Sequence, residues 1–212
     1  MSAAVSRSAV QPSCSLLAGP NGAGKSTIFS LIDLPGIFIN ADEIAARIDP
    51  AQPANAALQA GREALRLLDE AFLAHESFVY ETTLSSHQSI NVLRRARMSG
   101  FRTQLVFVAL QQVDLHVQRV RDRVLKGGHH IPEAVIRRRY DVAFDNLTIA
   151  VALSDELAVF DNSHAAGPSL RLTIDHGTIA TNALSRTRPF DRRIAACVAP
   201  ALSMRAEDLF VG

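Results

Sequence analysis

A chain of 212 residues, 48% hydrophobic and 20% charged, has material for one α/β domain with a sizeable core and lies outside the disordered and collagen-like classes. Its 22 Lys and Arg against 21 Asp and Glu leave a net charge of +1, which supplies no global field for nucleic acid or a membrane; neither is expected as a partner, and any anion site must be local. Cys14 and Cys197 lack metal-ligand spacing and suit a reducing compartment, and no stretch has the roughly 18 apolar residues of a spanning helix or a signal-peptide core, so a cytoplasmic protein is expected.

Residues 1–12 are small and polar and read as a flexible lead-in or an added edge strand. SCSLLA (13–18) is a short apolar run that breaks into a glycine-rich turn, and a helix starts at Lys25. GIFIN (36–40) predicts a second strand, with a helix over 41–48 closed by Pro50 and Pro53. A long amphipathic helix is expected over 58–75, with an apolar face of Leu58, Leu65, Leu68, Phe72 and Leu73. SFVY (77–80) is a buried-type strand running into Glu81, Thr82 and Thr83, and a basic helix over 88–98 ends at Gly100.

TQLVFVAL (103–110) is apolar nearly throughout, as a strand covered on both faces is. An Arg-rich helix over 113–125 is broken by KGGHHIP (126–132), and 133–153 resumes as a helix with Ile136, Tyr140, Phe144 and Leu147 on one side. The break suits a mobile lid over about 124–134. LAVF (157–160) is a strand ending in Asp-Asn-Ser, 170–174 and 178–180 form a hairpin, and the tail from 186 to 212 carries one helix around 192–198, expected to pack on the domain. The main domain is thus expected over 13–185. Alternating strands and helices imply a three-layer α/β sandwich of the P-loop NTPase, nucleoside-kinase-like type, with a mostly parallel central sheet and ligands beyond the carboxyl ends of its strands.

Gly19-Pro20-Asn21-Gly22-Ala23-Gly24-Lys25-Ser26 matches G-x-x-x-x-G-K-[ST] between a predicted strand and a predicted helix, where the motif has mechanical meaning. Its glycines let backbone N–H groups face a β-phosphate, and the helix N-terminus adds partial positive charge. Lys25 would bridge β- and γ-phosphates, Ser26 would ligate Mg²⁺ and Thr27 would help at the α-phosphate, which calls for ATP or GTP with Mg²⁺.

An N-K-x-D guanine signature is missing, and Asp33-Leu34-Pro35-Gly36 follows the loop too soon to be a switch. What remains is a kinase for small molecules. Asp42 follows the second strand and is the candidate general base, although Asp at a helix start also serves as a cap. Glu81, Thr82 and Thr83 offer a carboxylate and two hydroxyls to acceptor or to Mg²⁺-bound water. Arg119, Arg123 and Lys126 lead into Gly127-Gly128-His129-His130, from which a cation could reach the transferring phosphoryl group; of the two arginines Arg123 is the nearer to the break, on a helical face shared with Arg119. The two histidines lack the companions of a zinc site.

Taken together, GPNGAGKST (19–27), FINADEIA (38–45), AGREAL (60–65), FVYETTLS (78–85), LVFVAL (105–110), RVRDRVLKGGHHIPEAVIRRRY (119–140) and LAVFDNS (157–163) resemble the zeta-toxin-like P-loop kinases. That resemblance implies ATP- or GTP-driven phosphorylation of a sugar hydroxyl, with UDP-N-acetylglucosamine as the known type of acceptor and a small antitoxin protein as partner. It implies Asp42 as catalytic Asp, Glu63 and Glu81 as acceptor- or metal-side carboxylates, and Arg123 as a phosphate clamp. The compact KGGHHIP replaces a longer lid bearing a second Arg, a role left to Arg137, Arg138 or Arg139. A kinase for another hydroxylated metabolite or an antibiotic, and a nucleotide-dependent switch without an acceptor, are the alternatives.

Overall fold

The computed structural model describes residues 11–128 and 130–211; the expectations for residues 1–10 and for His129 lie outside the described residues. β1 (Ser13–Ala18) is buried along its whole length and sits between β3 (Phe78–Thr82) and β4 (Arg102–Ala109), parallel to both. Its side chains alternate between two cores: Cys14, Leu16 and Ala18 enter the larger one, and Leu17 joins Ala23, Ile28, Val79, Val106 and Val108 in the smaller one. That alternation is the period of two of a strand covered on both sides.

Among the described residues, β2 (Ile37–Ile39), β5 (Glu156–Asp161), β6 (Ser169–Asp175) and β7 (Thr178–Asn182) complete a seven-stranded sheet of order β2-β3-β1-β4-β5-β6-β7. The first five strands in this order run parallel, and the β6–β7 hairpin closes one edge antiparallel. The register sets Leu17 beside Glu81, Ile39 beside Tyr80 and Ala18 beside Phe107, so the carboxyl ends of β1 to β4 come out at one edge.

α1 (Lys25–Phe29) covers the smaller core. On the larger core lie α2 (Ala41–Ile48), α3 (Ala57–Ala74), α4 (His87–Met98), α6 (Glu133–Ala152) and α7 (Pro189–Val198), while α5 (Val113–Leu125) packs on α6 through Val117, Val120 and Ile136. Sheet and helices make the three-layer architecture expected of the sequence. No helix among the described residues is long and apolar enough to cross a membrane.

α3 presents a different face from the expected one. It buries Ala60, Ala64, Leu68, Ala71 and Phe72, while Leu58, Leu65 and Leu73 face solvent. Side-chain size alone favours the leucines as core. The alanines take the inner face because a small side chain lets a helix backbone lie close to its neighbours.

The C-terminal tail completes the larger core. Leu184, Phe190, Ile194, Val198 and Leu209 are fully buried in it, and the Val211 N–H donates to the Leu184 carbonyl.

Candidate functional site

The glycine loop leaves β1 at Gly19 and enters α1 at Gly24, which has φ 88° and supplies no side-chain cap. A Cβ at Gly24 would overlap the side-chain amide of Asn162, so only glycine fits both the left-handed backbone and the space. With no cap, the first N–H groups of α1 stay open to an anion.

Two side chains outside the motif hold the loop by its carbonyls. Asn162, just after β5, donates from Nδ2 to the Ala23 carbonyl at 2.8 Å. His116 of α5 is fully buried; its Nε2 accepts from the Leu110 N–H at 3.0 Å, so Nδ1 carries the proton and donates to the Asn21 carbonyl at 2.8 Å. Tying the carbonyls outward sets the curl of the loop, whose Ala23 N–H donates back to the Pro20 carbonyl at 3.2 Å. Burial lowers the His116 pKa to about 4.

A pH dependence follows, because His116 ionises near 6.5 in the unfolded chain but near 4 when folded. Between these values the unfolded state binds more protons, so stability is complete above pH 6.5 and falls as pH drops towards 4, by roughly 3 kcal/mol. His116→Gln, whose amide can accept from Leu110 and donate to Asn21, is expected to remove this part of the slope; urea unfolding at pH 7 and pH 4.5 would reveal it.

The motif lysine is buried at the edge of β1. Lys25 Nζ donates to the Gly19 carbonyl at 2.8 Å and lies 3.6 Å from Glu81 Oε1. Burial lowers its pKa, and the charges of Glu81 and Asp42 oppose that shift. Burial likewise raises the Glu81 pKa, against the pull of Lys25. Asn40 ties this pair to the next helix: its Oδ1 accepts from the N–H groups of Asp42 at 2.8 Å and Glu43 at 3.3 Å, and its Nδ2 donates to Glu81 at 3.0 Å. Asn40, then, is the cap of α2, and Asp42 is left uncommitted in the first turn.

These groups open on a cavity of about 760 Å³ beyond the carboxyl ends of the strands. Asn21, Gly22 and Lys25 of the glycine loop line it together with Asn40, Asp42, Tyr80 and Glu81. Ser85, Ser86 and Thr83 come from the loop after β3, which turns sharply at Leu84 (φ 57°). Leu84 is held there by the Thr82 hydroxyl on its N–H and by Asn146 on its carbonyl. Arg123, His130, Arg138 and Arg139 supply the roof.

Several predicted residues therefore meet: Lys25, Asp42, Glu81, Thr83, Arg123 and His130 line the one cavity. Arg138 and Arg139 line it too, and Arg139 donates to the Asn21 side chain at 3.0 Å, whereas Arg137 turns away to Asp114 and Glu133. Thr82 lines the cavity as well, with its hydroxyl paired to Ser89 at 2.6 Å and accepting from the Leu84 N–H. Arg119 donates to the Asn162 carbonyl at 2.7 Å and, with Lys126 and Arg123, borders a second hollow of about 600 Å³.

Glu63 is not brought to this cavity. It lies in a separate groove between α2 and α3 and pairs with Arg66 at 2.7 Å, because the turn of α3 that reaches the cavity is its first, at Ala57. Tyr80, Asn40, His116 and Asn162 were not picked from sequence for this site. Asn40 has a local signal, a capping residue before Asp-Glu at a helix start; the others act across long sequence separations and leave none.

A glycine loop cradled between β1 and α1, with its lysine beside carboxylates that end or follow the next two strands, on a mostly parallel sheet, gives the chain the P-loop kinase-like fold. The zeta toxin profile matches residues 2–166, and the chain belongs to the zeta toxin family. It is 37% identical over 123 residues to an uncharacterised protein of Haemophilus influenzae, a match covering 58% of this chain and 88% of that one. Its fold is similar to that of the AvrRxo1-ORF1:-ORF2 structure with ATP (TM-score 0.67, 13% identity, 95% of this chain and 77% of the other). It is also similar to a structure of the PezAT chromosomal toxin-antitoxin system of Streptococcus pneumoniae (TM-score 0.58, 14% identity, 91% and 88%).

Proposed function

We propose that this protein transfers the γ-phosphate of ATP or GTP to a hydroxyl of a small molecule, with a nucleotide sugar of the UDP-N-acetylglucosamine type as acceptor. The observation that carries this reading is the single cavity shared by Lys25, Asp42 and Glu81. At about 760 Å³ it is of the size that small-molecule sites have.

The residues present fit a magnesium nucleotide. The glycine loop offers open N–H groups, the Ser26 hydroxyl is exposed at the start of α1, and Glu81 adds a carboxylate, so the donors are the hard oxygens that Mg²⁺ takes. Bound there, the metal would neutralise charge on the β- and γ-phosphate oxygens. Gly19 to Thr27 would hold the triphosphate, with Thr27 at the α-phosphate. Lys25 would leave the Gly19 carbonyl for the β- and γ-phosphates.

Asp42 orients the acceptor hydroxyl and takes its proton as the oxygen–phosphorus bond forms and the bond to the leaving diphosphate breaks. Arg123, with Arg138 and Arg139, balances the charge of the moving phosphoryl group. Thr83 offers a hydroxyl to the acceptor. A small antitoxin is the partner we propose, in line with the toxin-antitoxin system named for the pneumococcal neighbour.

The test is incubation of the purified protein with γ-labelled ATP or GTP and a panel of nucleotide sugars, with products read by mass spectrometry. A labelled nucleotide sugar is expected. Tight nucleotide binding with no labelled acceptor would reject the kinase reading, and a labelled product of another kind would reject the acceptor alone.

A further inference from the structure

The outward side of α3 carries Leu58, Arg62, Leu65, Asp69 and Leu73, spaced so that all five fall on one stripe of the helix. Solvent reaches 70% of Leu58, 43% of Leu65 and 83% of Leu73. Apolar residues scattered singly over a surface need no explanation, but three leucines in line along a helix that gives its inner face to alanines form a patch.

The stripe is also self-complementary. Read in either direction it runs leucine, charge, leucine, charge, leucine, and reversal exchanges Arg62 with Asp69. Turning a second copy about a two-fold axis through Leu65 lays each Leu58 on the other copy's Leu73 and each Arg62 on the other copy's Asp69. Leu65 then meets Leu65. Arg62 makes no ion pair among the described residues, while Asp69 holds Arg95 of α4 with a carboxylate that remains exposed.

We infer that α3 is a homodimer interface, in which the α3 helices of two copies pack antiparallel about Leu65. An isologous contact demands that one patch complement itself, and both the apolar and the charged positions of this stripe do so. An unrelated partner would place no such demand on the pattern. The leucines supply the buried area, and the two symmetry-related Arg62 to Asp69 pairs choose the antiparallel register, as flanking charges do in coiled coils.

Cysteine cross-linking on the full chain tests the geometry. Cys14 and Cys197 are buried, so an introduced thiol is the accessible one. A residue on the axis meets its own counterpart, so Leu65→Cys is expected to oxidise to a covalent dimer many times faster than Leu31→Cys, which is exposed just after α1, the helix on the opposite core from α3. Sedimentation velocity over a concentration series should show a dimer for the wild type. Arg62→Asp should weaken it by setting aspartates opposite one another, and Leu65→Glu should abolish it, with circular dichroism confirming that both variants fold.

A wild type that stays monomeric at every concentration would overturn the inference. So would equal cross-linking of Leu65→Cys and Leu31→Cys, or a dimer indifferent to Leu65→Glu.

Discussion

Asp42→Asn is expected to lower the rate of phosphoryl transfer by about 10²- to 10⁴-fold while leaving nucleotide affinity nearly unchanged. The carboxylate lines the cavity, and its charge acts on Lys25. The amide keeps the shape but cannot take a proton. Helix capping does not confuse the experiment, because Asn40 accepts the N–H groups of Asp42 and Glu43. Only the favourable placing of a negative charge in the first turn is lost, a matter of about 0.3–1 kcal/mol.

Single-turnover transfer and nucleotide titration on the same preparation separate the two effects. Equal loss of binding and rate would assign Asp42 to holding nucleotide. An unchanged rate would remove it from the chemistry.

The second large effect is expected far from the glycine loop in sequence. Asp161 is fully buried at the end of β5; burial raises its pKa, but hydrogen bonds from Ser163 and Gln111, with the nearby Arg188 charge, more than compensate and hold it below the usual carboxylate range. Arg188, just before α7, donates to it at 2.5 Å, and Asp191 of α7 is bound by Arg171 and by the Ser185 N–H. Arg188→Ala leaves a buried carboxylate short of its cation, which costs roughly 3 kcal/mol of stability, the low end of such deletions because Ser163 and Gln111 remain.

A consequence for ligand binding follows from position. Asn162, the next residue, braces the Ala23 carbonyl, so nucleotide affinity should fall as well. Urea unfolding with nucleotide titration measures both. Adding Asp161→Asn should restore part of the lost stability, since no unpaired charge is then buried; a double variant no better than Arg188→Ala would show that the ion pair is not the cause. The sign with pH is also set. A carboxylate held below its usual pKa contributes stability above the usual carboxylate range and loses it as pH falls through the folded value, and without Arg188 that loss begins at a higher pH.

Much of the fold is legible in local pattern. The apolar run before Gly19, the nearly apolar stretch 103–110, observed as the strand 102–109, and the break at 126–132 mark the central strands and the joint between α5 and α6, because strand burial and glycine or proline chemistry act over a few residues. The face of α3 is not legible in that way. Whether leucine or alanine lies inward depends on how near the neighbouring helix and sheet stand, and the amphipathic pattern does not contain that distance.

The site divides along the same line. That Lys25, Asp42 and Glu81 share one cavity is legible in the sequence because each closes or follows a strand of a parallel sheet, whose carboxyl ends all point one way. Glu63 was placed there by resemblance, and the turn of α3 carries it to a different groove. His116 and Asn162 lie 95 and 139 residues from the carbonyls they hold, and no motif reports a contact made across a sheet.

The sequence by itself determined the class of this protein, a glycine loop between strand and helix within a parallel α/β chain, because a phosphate cradle is built from consecutive backbone groups. Only the tertiary structure decided what braces that cradle and which arginines overhang the cavity. It also decided which residues of the tail, Phe190, Ile194, Val198 and Leu209 among them, enter the core. These are distances between segments remote in the chain, settled when buried side chains compete for space and for hydrogen-bond partners.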